Sequence, residues 1–266
     1  MKPWQDFPPA LARAVHTVLT DIDDTLTTQG RLLPAAYQAL ADLRQVGLRV
    51  IPVTGRPAGW CDLIARTWPV DGVIGENGAF YLWHDPDHQV LRSRHWSQDV
   101  DRSQVAQRLA AMRDRILHEV PGSGVASDQF CRWYDLAIDF CEDVPPLPAP
   151  EVDRIVAIMH SAGMTAKVSS IHVNAWWGDW DKLGMARTML AERYGLDWGR
   201  AKEQILFIGD SPNDAPMFGA LPHSVGVANV RDAWDRLEHR PGWVTNARAG
   251  AGFVEFAQHL LALRQR

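Results

Sequence analysis

Three short apolar segments of the chain each end in a polar turn. They cover residues 14–20, 48–53 and 204–208. Short apolar runs without strict alternation are typical of parallel strands that are buried on both faces. The polar turns that follow begin at Asp21, Thr54 and Gly209.

Helical spacing of apolar residues occupies two stretches between these strands. Pro34 to Val46 stops before Gly47, and Lys182 to Tyr194 stops before Gly195, so both glycines are candidate C-caps. Alternation of strands and helices predicts an α/β fold with a doubly wound, Rossmann-like parallel sheet. Ligands of such sheets bind beyond the carboxyl ends of the strands, so we expect the three polar turns to meet there.

The middle of the chain, from about residue 84 to 170, has a different pattern. It predicts strands at 89–91 and 133–140, helices at about 98–118 and 151–162, and an extended stretch at 165–176. A Pro-rich turn at 144–150 is either a linker or a loop within this layer. We therefore expect a catalytic core of residues 1–84 and 171–266, with an inserted α+β cap of residues 85–170.

Composition narrows the function classes. The 266 residues are 46% hydrophobic, with a formal net charge of −5, which argues against a broad surface for nucleic acid or an anionic membrane. Cys61, Cys131 and Cys141 are odd in number and lack metal-type spacing, which favours a reduced, cytoplasmic setting. Residues 1–14 form neither a secretory signal nor a membrane span. The 12 tryptophans serve either packing or the stacking of sugars.

The first polar turn reads Asp21-Ile22-Asp23-Asp24-Thr25-Leu26. Side chains alternate along an extended chain, so Asp21 and Asp23 should point to one crevice and Ile22 elsewhere. Clustered carboxylates repel one another, and Mg²⁺, which binds carboxylates, waters and phosphate oxygens, would relieve that repulsion. An acidic turn with a Thr cap gives the same pattern.

The third polar turn reads Gly209-Asp210-Ser211-Pro212-Asn213-Asp214. Asp210 is expected to complete the metal site, and Asp214, about one helical turn further on, can face the same way. In isolation the pattern also fits a helix cap. Two acidic strand ends in one chain favour the metal site.

Two further features suit phosphate binding. Thr54-Gly55-Arg56 offers a hydroxyl and backbone N–H groups at a strand-to-helix turn, although an ordinary turn also explains it. Lys182 stands at the predicted start of a helix, where the macrodipole disfavours a cation. It therefore indicates an anionic ligand or a carboxylate partner, with a solvated surface lysine as the alternative.

In this order, the Asp21 motif, Thr54, Lys182 and the Asp210 motif resemble the four motifs of the haloacid dehalogenase-like (HAD) superfamily of phosphatases. The resemblance spans the sheet domain at both ends of the chain. The turn 75–79, Gly-Glu-Asn-Gly-Ala, is similar to one in the branch with a large inserted α/β cap. That branch includes Cof-like proteins, the phosphatases of sucrose phosphate and trehalose phosphate, and phosphomannomutase.

The resemblance implies a role for each matching residue. Asp21 would attack phosphorus to form an aspartyl-phosphate, and Asp23 would protonate the leaving alcohol and then activate water. Mg²⁺ would be held by Asp21, the backbone carbonyl of Asp23, and Asp210, with support from Asp214. Asp24 stands where many members have glycine, and we expect it to be neutral for activity.

The remaining expectations concern the substrate. The transferring phosphoryl oxygens would contact Thr54, the Gly55 amide and Lys182. Residues expected to face the leaving group are Arg56, Glu76, Asn77, His172, Asn174, Trp176 and Trp177, although packing also explains those near Trp176. The resemblance and these polar groups favour a small phosphorylated metabolite, a sugar phosphate first.

Two alternatives differ in class. A phosphomutase of the phosphomannomutase type would need a second phosphate site on the cap, for which the candidates are Arg92, Arg94, Arg132 and Arg154. A non-catalytic binding protein on the same fold is the other alternative.

Overall fold

The computed structural model describes residues 1–97 and 101–265. The strands are β1 (Lys2–Pro3), β2 (Thr17–Thr20), β3 (Thr27–Thr28), β4 (Arg31–Leu32), β5 (Arg49–Pro52), β6 (Val73–Gly75), β7 (Phe80–Asp85), β8 (Val90–His95), β9 (Gly124–Val125), β10 (Leu136–Asp139), β11 (Thr165–Val168), β12 (His172–Trp176), β13 (Ile205–Gly209), β14 (His223–Gly226) and β15 (Trp243–Val244). The helices are α1 (Pro9–Ala14), α2 (Pro34–Gln45), α3 (Ala58–Thr67), α4 (Arg102–Glu119), α5 (Ala149–Ser161), α6 (Lys182–Tyr194), α7 (Trp198–Ala201), α8 (Ala215–Ala220) and α9 (Ala249–Gln265).

A six-stranded parallel sheet, in the order β1-β15-β14-β13-β2-β5, forms the centre of the molecule. All four residues of β2 are buried, which explains the unbroken apolar run at this position. Val18 packs in one hydrophobic cluster with helices α2 and α9, and Leu19 packs in a second cluster with α6 and α8. The sheet is therefore covered on both faces, and the predicted α/β fold with a central parallel sheet is confirmed.

A second layer is built from antiparallel strands. Its sheet has the order β11-β12-β10-β9, and a separate hydrophobic cluster joins it to α4 and α5. We call residues 101–176 the antiparallel layer. Helix α4 begins at Arg102 after the capping side chain of Asp101, and the predicted start of this helix at Gln98 lies outside the described residues.

The predicted division into core and cap, with a cap of residues 85–170, stays a prediction. Two observations bear on where such a boundary would lie. Strand β12, at His172–Trp176, pairs with β10 and β11 inside the antiparallel layer. Strand β8, at Val90–His95, pairs with β7 and through it with β6, beside the parallel sheet.

Several elements are absent from the sequence-based prediction. Helix α9 packs against α1 and α2 and closes one face of the parallel sheet. Its large buried side chains, Phe253, Phe256, Leu260 and Leu263, recur at helical spacing along one face. Within the described residues, no helix combines the length and the apolar character needed to cross a membrane.

The carboxyl ends of three central strands lie side by side. Asp21 directly follows β2, Asp210 follows β13, and Thr54 comes two residues after β5. Their order in the sheet, β13-β2-β5, brings the three polar turns together at one edge, as expected for a parallel sheet.

Candidate active site

Three carboxylates meet at the edge of the parallel sheet. One oxygen from each of Asp21, Asp210 and Asp214 lies within 4.8 Å of the other two. All three residues are buried, with exposed fractions of 4%, 5% and 0%. A cluster of hard oxygen donors at this spacing could hold a divalent cation.

Lys182 lies against this cluster. Its Nζ is 2.6 Å from Oδ1 of Asp21 and 2.7 Å from Oδ1 of Asp214. The preceding Asp181 caps helix α6 by accepting a hydrogen bond from the amide of Gly184. The prediction of a carboxylate partner for this lysine is therefore confirmed, and the alternative of a solvated surface lysine is wrong because Lys182 is 2% exposed.

Burial dominates the electrostatics of the cluster. It raises the pKa of Asp21 to about 8, against the opposing charge of Lys182. It also raises the pKa of Asp210 well above its ordinary value, and the neighbouring carboxylates add to the effect. Burial lowers the pKa of Lys182, but the ion pairs with Asp21 and Asp214 outweigh it, so this pKa is raised overall. Three carboxylates face one ammonium group here, and a bound divalent cation would stabilise their ionised forms.

Backbone and side-chain donors hold two of the carboxylates in place. Oδ2 of Asp214 accepts from the backbone amides of Asp210 and Ser211, at 3.0 and 3.2 Å. Oδ1 of Asp210 accepts from the Thr25 hydroxyl at 3.3 Å, and its Oδ2 accepts from Nδ2 of Asn229 at 2.9 Å. Asn229 also donates to the backbone carbonyl of Asp24, so it connects the first and third polar turns.

The turn after β5 is shaped by close contacts. The Thr54 hydroxyl accepts a hydrogen bond from the Arg56 amide at 3.0 Å. A Cβ atom at Gly55 would lie 3.1 Å from Nδ2 of Asn77 and 3.5 Å from Oδ1 of Asn174, so glycine leaves room for both amides. Oδ1 of Asn77 accepts from Asn213 at 3.3 Å, while its buried Nδ2 has no hydrogen-bond partner among the described residues. Asn77 therefore keeps a donor available near this turn.

Arg56 links the first polar turn to the antiparallel layer. Its Nε donates to both oxygens of Asp23, at 3.0 and 3.1 Å. Nη1 donates to Oδ2 of Asp128 at 3.3 Å, and Nη2 donates to Oε1 of Glu142 at 2.8 Å. The Arg56 guanidinium is thus surrounded by three carboxylates.

Comparisons with known proteins show what the chain is similar to. Residues 18–114 match the family model of haloacid dehalogenase-like hydrolases. A phosphoglycolate phosphatase of Methanoculleus marisnigri is 27% identical over 249 residues, which cover 91% of this chain and 94% of the relative. A 5-amino-6-(5-phospho-D-ribitylamino)uracil phosphatase of Bacillus subtilis is 35% identical over 79 residues, which cover 30% of this chain and 25% of that protein.

Over residues 18–114 the chain is similar to the haloacid dehalogenase-like hydrolases, and over 91% of its length it is similar to a phosphoglycolate phosphatase. It is an enzyme of the phosphatase group.

Solved structures share the fold of this phosphatase. A Thermoplasma acidophilum protein superimposes with a TM-score of 0.68 at 21% identity, over 93% of this chain and 98% of that one. The sucrose-phosphatase of Synechocystis, solved in complex with sucrose and phosphate, gives a TM-score of 0.59 at 17% identity, over 93% and 98% of the two chains. At these identities the likeness concerns the fold alone.

Glu76 of the phosphatase does not face the crevice, so the prediction of its position is wrong. Its side chain is fully buried, Oε1 accepts from the amides of Ala58 and Trp133, and Oε2 accepts from the amide of Tyr134. Burial raises the pKa of Glu76 to about 8, and the nearby charge of Asp135 adds to this effect. The carboxylate turns inward because these buried amides need acceptors.

The tryptophans at the end of β12 also pack away from the crevice, contrary to the prediction. Trp176 is fully buried and stacks on Trp180, with ring centroids 5.6 Å apart and planes 18° apart. The Trp177 indole donates to the Ala162 carbonyl, and its ring lies under the guanidinium of Arg108. The packing alternative left open for these residues is the one the contacts support.

His172 and Asn174 do face the crevice. Both lie on the face of β12 that lines a narrow cleft together with Asp21 and Asp23. Nε2 of His172 is 2.9 Å from Oε2 of Glu142. This contact lowers the pKa of Glu142 to about 2, against the effect of burial and with further help from Arg56.

Arg132 fills the space between the two layers. Its side chain is fully buried, and Nη1 donates to the backbone carbonyl of Gly55 at 2.9 Å. It also contacts Asp128 at 3.1 Å and Asp135 at 2.9 Å, and Asp135 accepts from Asn174. Sequence motifs gave no signal for Asp128, Asp135, Glu142 or Asn229, because these residues lie outside the four motifs and meet them only through the fold.

Two cavities flank the crevice. One of about 320 Å³ borders Asp23 and is lined by polar groups that include Asp24, Gln29, Arg56 and Glu142. A larger one of about 610 Å³ lies on the side of Asp210 and reaches Asn229, Arg236 and Arg248. The narrow cleft of Asp21 shares Asp23 and Arg56 with the first cavity and Ser211 with the second.

Proposed function

We propose that this phosphatase is Mg²⁺-dependent, works through an aspartyl-phosphate on Asp21, and acts on a small phosphorylated metabolite. The observation that carries the proposal is the contact of Asp21 with Lys182 at 2.6 Å, inside a cluster with Asp210 and Asp214. A buried carboxylate next to a fixed cation and a candidate metal site suits attack on a phosphate whose charge needs stabilisation.

The first step transfers the phosphoryl group to the protein. An Asp21 oxygen forms a bond to phosphorus as the bond from phosphorus to the leaving oxygen breaks. Asp23, in its protonated form, gives its proton to that oxygen, so that the product leaves as a neutral alcohol. The side chain of Asp23 is 17% exposed, which supports its access to substrate.

The second step restores the enzyme. Asp23, now a carboxylate, takes a proton from water as the water oxygen bonds to phosphorus. The bond from phosphorus to Asp21 breaks, inorganic phosphate forms, and the Asp21 carboxylate is regained. Asp23 is again protonated for the next cycle, because the proton that it gave to the alcohol is replaced by one from water.

Charge stabilisation comes from groups around the phosphoryl site. The Thr54 hydroxyl, the Gly55 amide and the Lys182 ammonium would hold the transferring oxygens. The residues that would hold Mg²⁺ are Asp21, the backbone carbonyl of Asp23, and Asp210, with Asp214 behind them. When bound, the ion supplies positive charge to the phosphoryl oxygens.

The cavity beside Asp23 favours a sugar or polyol phosphate. It has room for a small organic group of about 320 Å³ at the side where the alcohol would leave. Two further acidic side chains, Asp24 and Glu142, line it beside Asp23 and the Arg56 guanidinium, so it offers acceptors to hydroxyl groups and disfavours an anionic leaving group. The relatives named phosphoglycolate phosphatases argue for 2-phosphoglycolate, whose leaving group carries a carboxylate.

Phosphate release from a panel of phosphate esters distinguishes a polyol phosphate from 2-phosphoglycolate as the preferred substrate. Hexose and pentose phosphates, glycerol phosphates and 2-phosphoglycolate are compared at equal Mg²⁺, with Asp21→Asn as the blank. We expect the highest kcat/KM among the polyol phosphates. A clear preference for 2-phosphoglycolate would contradict the charge argument while leaving the phosphatase chemistry intact.

The proposal includes a reduced, cytoplasmic setting. All three cysteines are free thiols in the structure, and Cys61 is buried. Burial raises the pKa of the Cys61 thiol well above its ordinary value, which keeps it protonated and unreactive.

A further inference from the structure

The Arg56 guanidinium binds Asp23 on one side and two carboxylates of the antiparallel layer on the other. Arg56 donates from Nε to Asp23, while its two terminal nitrogens donate to Asp128 and Glu142. Asp128 lies between β9 and β10, and Glu142 lies three residues after β10, so both belong to the antiparallel layer. A continuous set of hydrogen bonds therefore runs from that layer to Asp23.

The geometry leaves Arg56 little freedom. Its side chain is only 4% exposed. Its planar guanidinium also lies over the indole of Trp60, with Cζ 4.4 Å from the ring centroid. Because its donors point to carboxylates in three directions, a shift of any one partner changes the best position of the other two. Arg132 strengthens the arrangement by contacting the opposite oxygen of Asp128, at 3.2 Å from Nε.

The charge balance argues against Arg56 as a binding site for a substrate anion. One guanidinium faces three carboxylates, Asp23, Asp128 and Glu142, within 3.3 Å. An added anion would have to displace one of them. The arrangement therefore suits a residue that orients neighbouring carboxylates, and it does not suit a residue that binds a substrate anion.

We infer that Arg56 is a positioning residue for Asp23, and that Asp128 and Glu142 of the antiparallel layer keep Arg56 in the orientation that proton transfer requires. The inference rests on the proposed function, because it assigns Arg56 a task in the step in which Asp23 protonates the leaving alcohol. It replaces the expectation that Arg56 contacts the substrate directly.

The dependence of rate on the leaving group tests this role. An alkoxide leaves phosphorus slowly unless it is protonated, whereas 2,4-dinitrophenolate leaves without a proton. Loss of a well-positioned acid should therefore slow hydrolysis of an alkyl or sugar phosphate and spare 2,4-dinitrophenyl phosphate. The parameter to compare is kcat/KM, which reports the steps up to departure of the leaving group.

The variants are Arg56→Lys, Asp128→Asn and Glu142→Gln, with Arg66→Gln as control. Arg66 lies on the same helix α3 but pairs with Asp62 on the surface. For Arg56→Lys we expect kcat/KM for the best alkyl phosphate to fall by roughly 10²-fold, the lower end of what general acid catalysis contributes, with less than about a threefold loss for the dinitrophenyl ester. Asp128→Asn and Glu142→Gln should show the same selectivity with smaller losses, and the control should match the wild type.

The outcomes separate the inference from the proposed function. An equal loss for both esters, or no loss in any of the three variants, would overturn the positioning role. Thermal unfolding of each variant is measured alongside, and because Glu142 lies at the edge of the layer, Glu142→Gln supplies the selectivity ratio should Arg56→Lys fail to fold. A wild-type protein that released phosphate from neither ester would overturn the proposed function itself and the inference with it.

Discussion

Nζ of Lys182 lies 2.6 Å from Oδ1 of Asp21, although 161 positions separate the two residues along the chain. The lysine is the first residue of helix α6, and the aspartate directly follows strand β2. Only the folded sheet brings them together, so this contact forms only when the fold and the candidate active site are complete. Its chemistry leads to the first two predictions.

Asp21→Asn should reduce phosphate release by about three orders of magnitude or more, because an amide oxygen is a far weaker nucleophile than a carboxylate. The fold should persist, since Lys182 keeps its contact with Asp214. Phosphate release and circular dichroism of the same sample provide the check. Release at a wild-type rate would remove Asp21 from the mechanism.

Lys182→Met should destabilise the metal-free protein. The substitution leaves Asp21 and Asp214 buried without their cation, and breaking a buried ion pair in this way costs about 3–5 kcal/mol. Denaturant unfolding gives the free energy, and added Mg²⁺ should recover part of it by supplying positive charge. Equal stability of variant and wild type without metal would show that the carboxylates are protonated or otherwise compensated there.

Removal of divalent cations should stop turnover, and Mg²⁺ should restore it. Mg²⁺ should also raise the Tm of the wild type, because a ligand that binds only the folded state stabilises it. Asp210→Asn should lose most of this shift. Asp232→Asn, which changes an exposed carboxylate paired with Arg248, should keep the Tm shift and serves as the control. Full activity after thorough chelation would contradict the metal site.

The pKa of Glu142 predicts a pH dependence of stability. Its folded-state pKa of about 2 lies below its ordinary value of 4.5, so the ionised group stabilises the fold above pH 4.5, and this contribution is lost as the pH falls toward 2. The shift corresponds to about 3 kcal/mol, which partial exposure reduces to about 1–2 kcal/mol. Glu142→Gln should therefore be less stable than wild type at pH 6, with the difference vanishing near pH 2 in denaturant unfolding.

A phosphomutase would need cationic groups that converge on a second phosphate. Arg92, Arg94 and Arg154 instead pair with different carboxylates, on Asp85, Glu192 and Glu151. Arg132 lines the cleft of Asp21 without these three, and it pairs with Asp128 and Asp135. We therefore expect a sugar bisphosphate to leave the rate of isomer interconversion unchanged while free phosphate accumulates. Rapid interconversion with little free phosphate would reverse this assignment.

The sequence was sufficient to predict the residues at the edge of the parallel sheet. Asp21, Thr54 and Asp210 follow buried strands, and the parallel topology alone brings such positions together. Lys182 was predictable for a different reason, since a cation at a helix start needs an anionic partner. In each case a local rule and the global fold agree.

The same rules could not predict which residues of the antiparallel layer meet this edge. Asp128 and Glu142 lie in loops without periodicity, and their contacts with Arg56 depend on how two layers pack. Glu76 was misassigned because a carboxylate in a polar turn resembles a ligand-binding group. Only the structure shows the buried amides of Trp133 and Tyr134 that its oxygens accept from.

That role of Glu76 has a consequence for the order of folding. Its carboxylate joins the turn after β6 to amides 57 and 58 positions further along the chain, so these bonds can form only after both layers have largely formed. Most of the antiparallel layer packs in a hydrophobic cluster of its own and can collapse by itself, whereas its Tyr134 and Trp176 pack in the cluster of the parallel sheet. Docking of the layers is then a late event in folding, and Glu76→Gln should slow it more than it slows formation of either cluster.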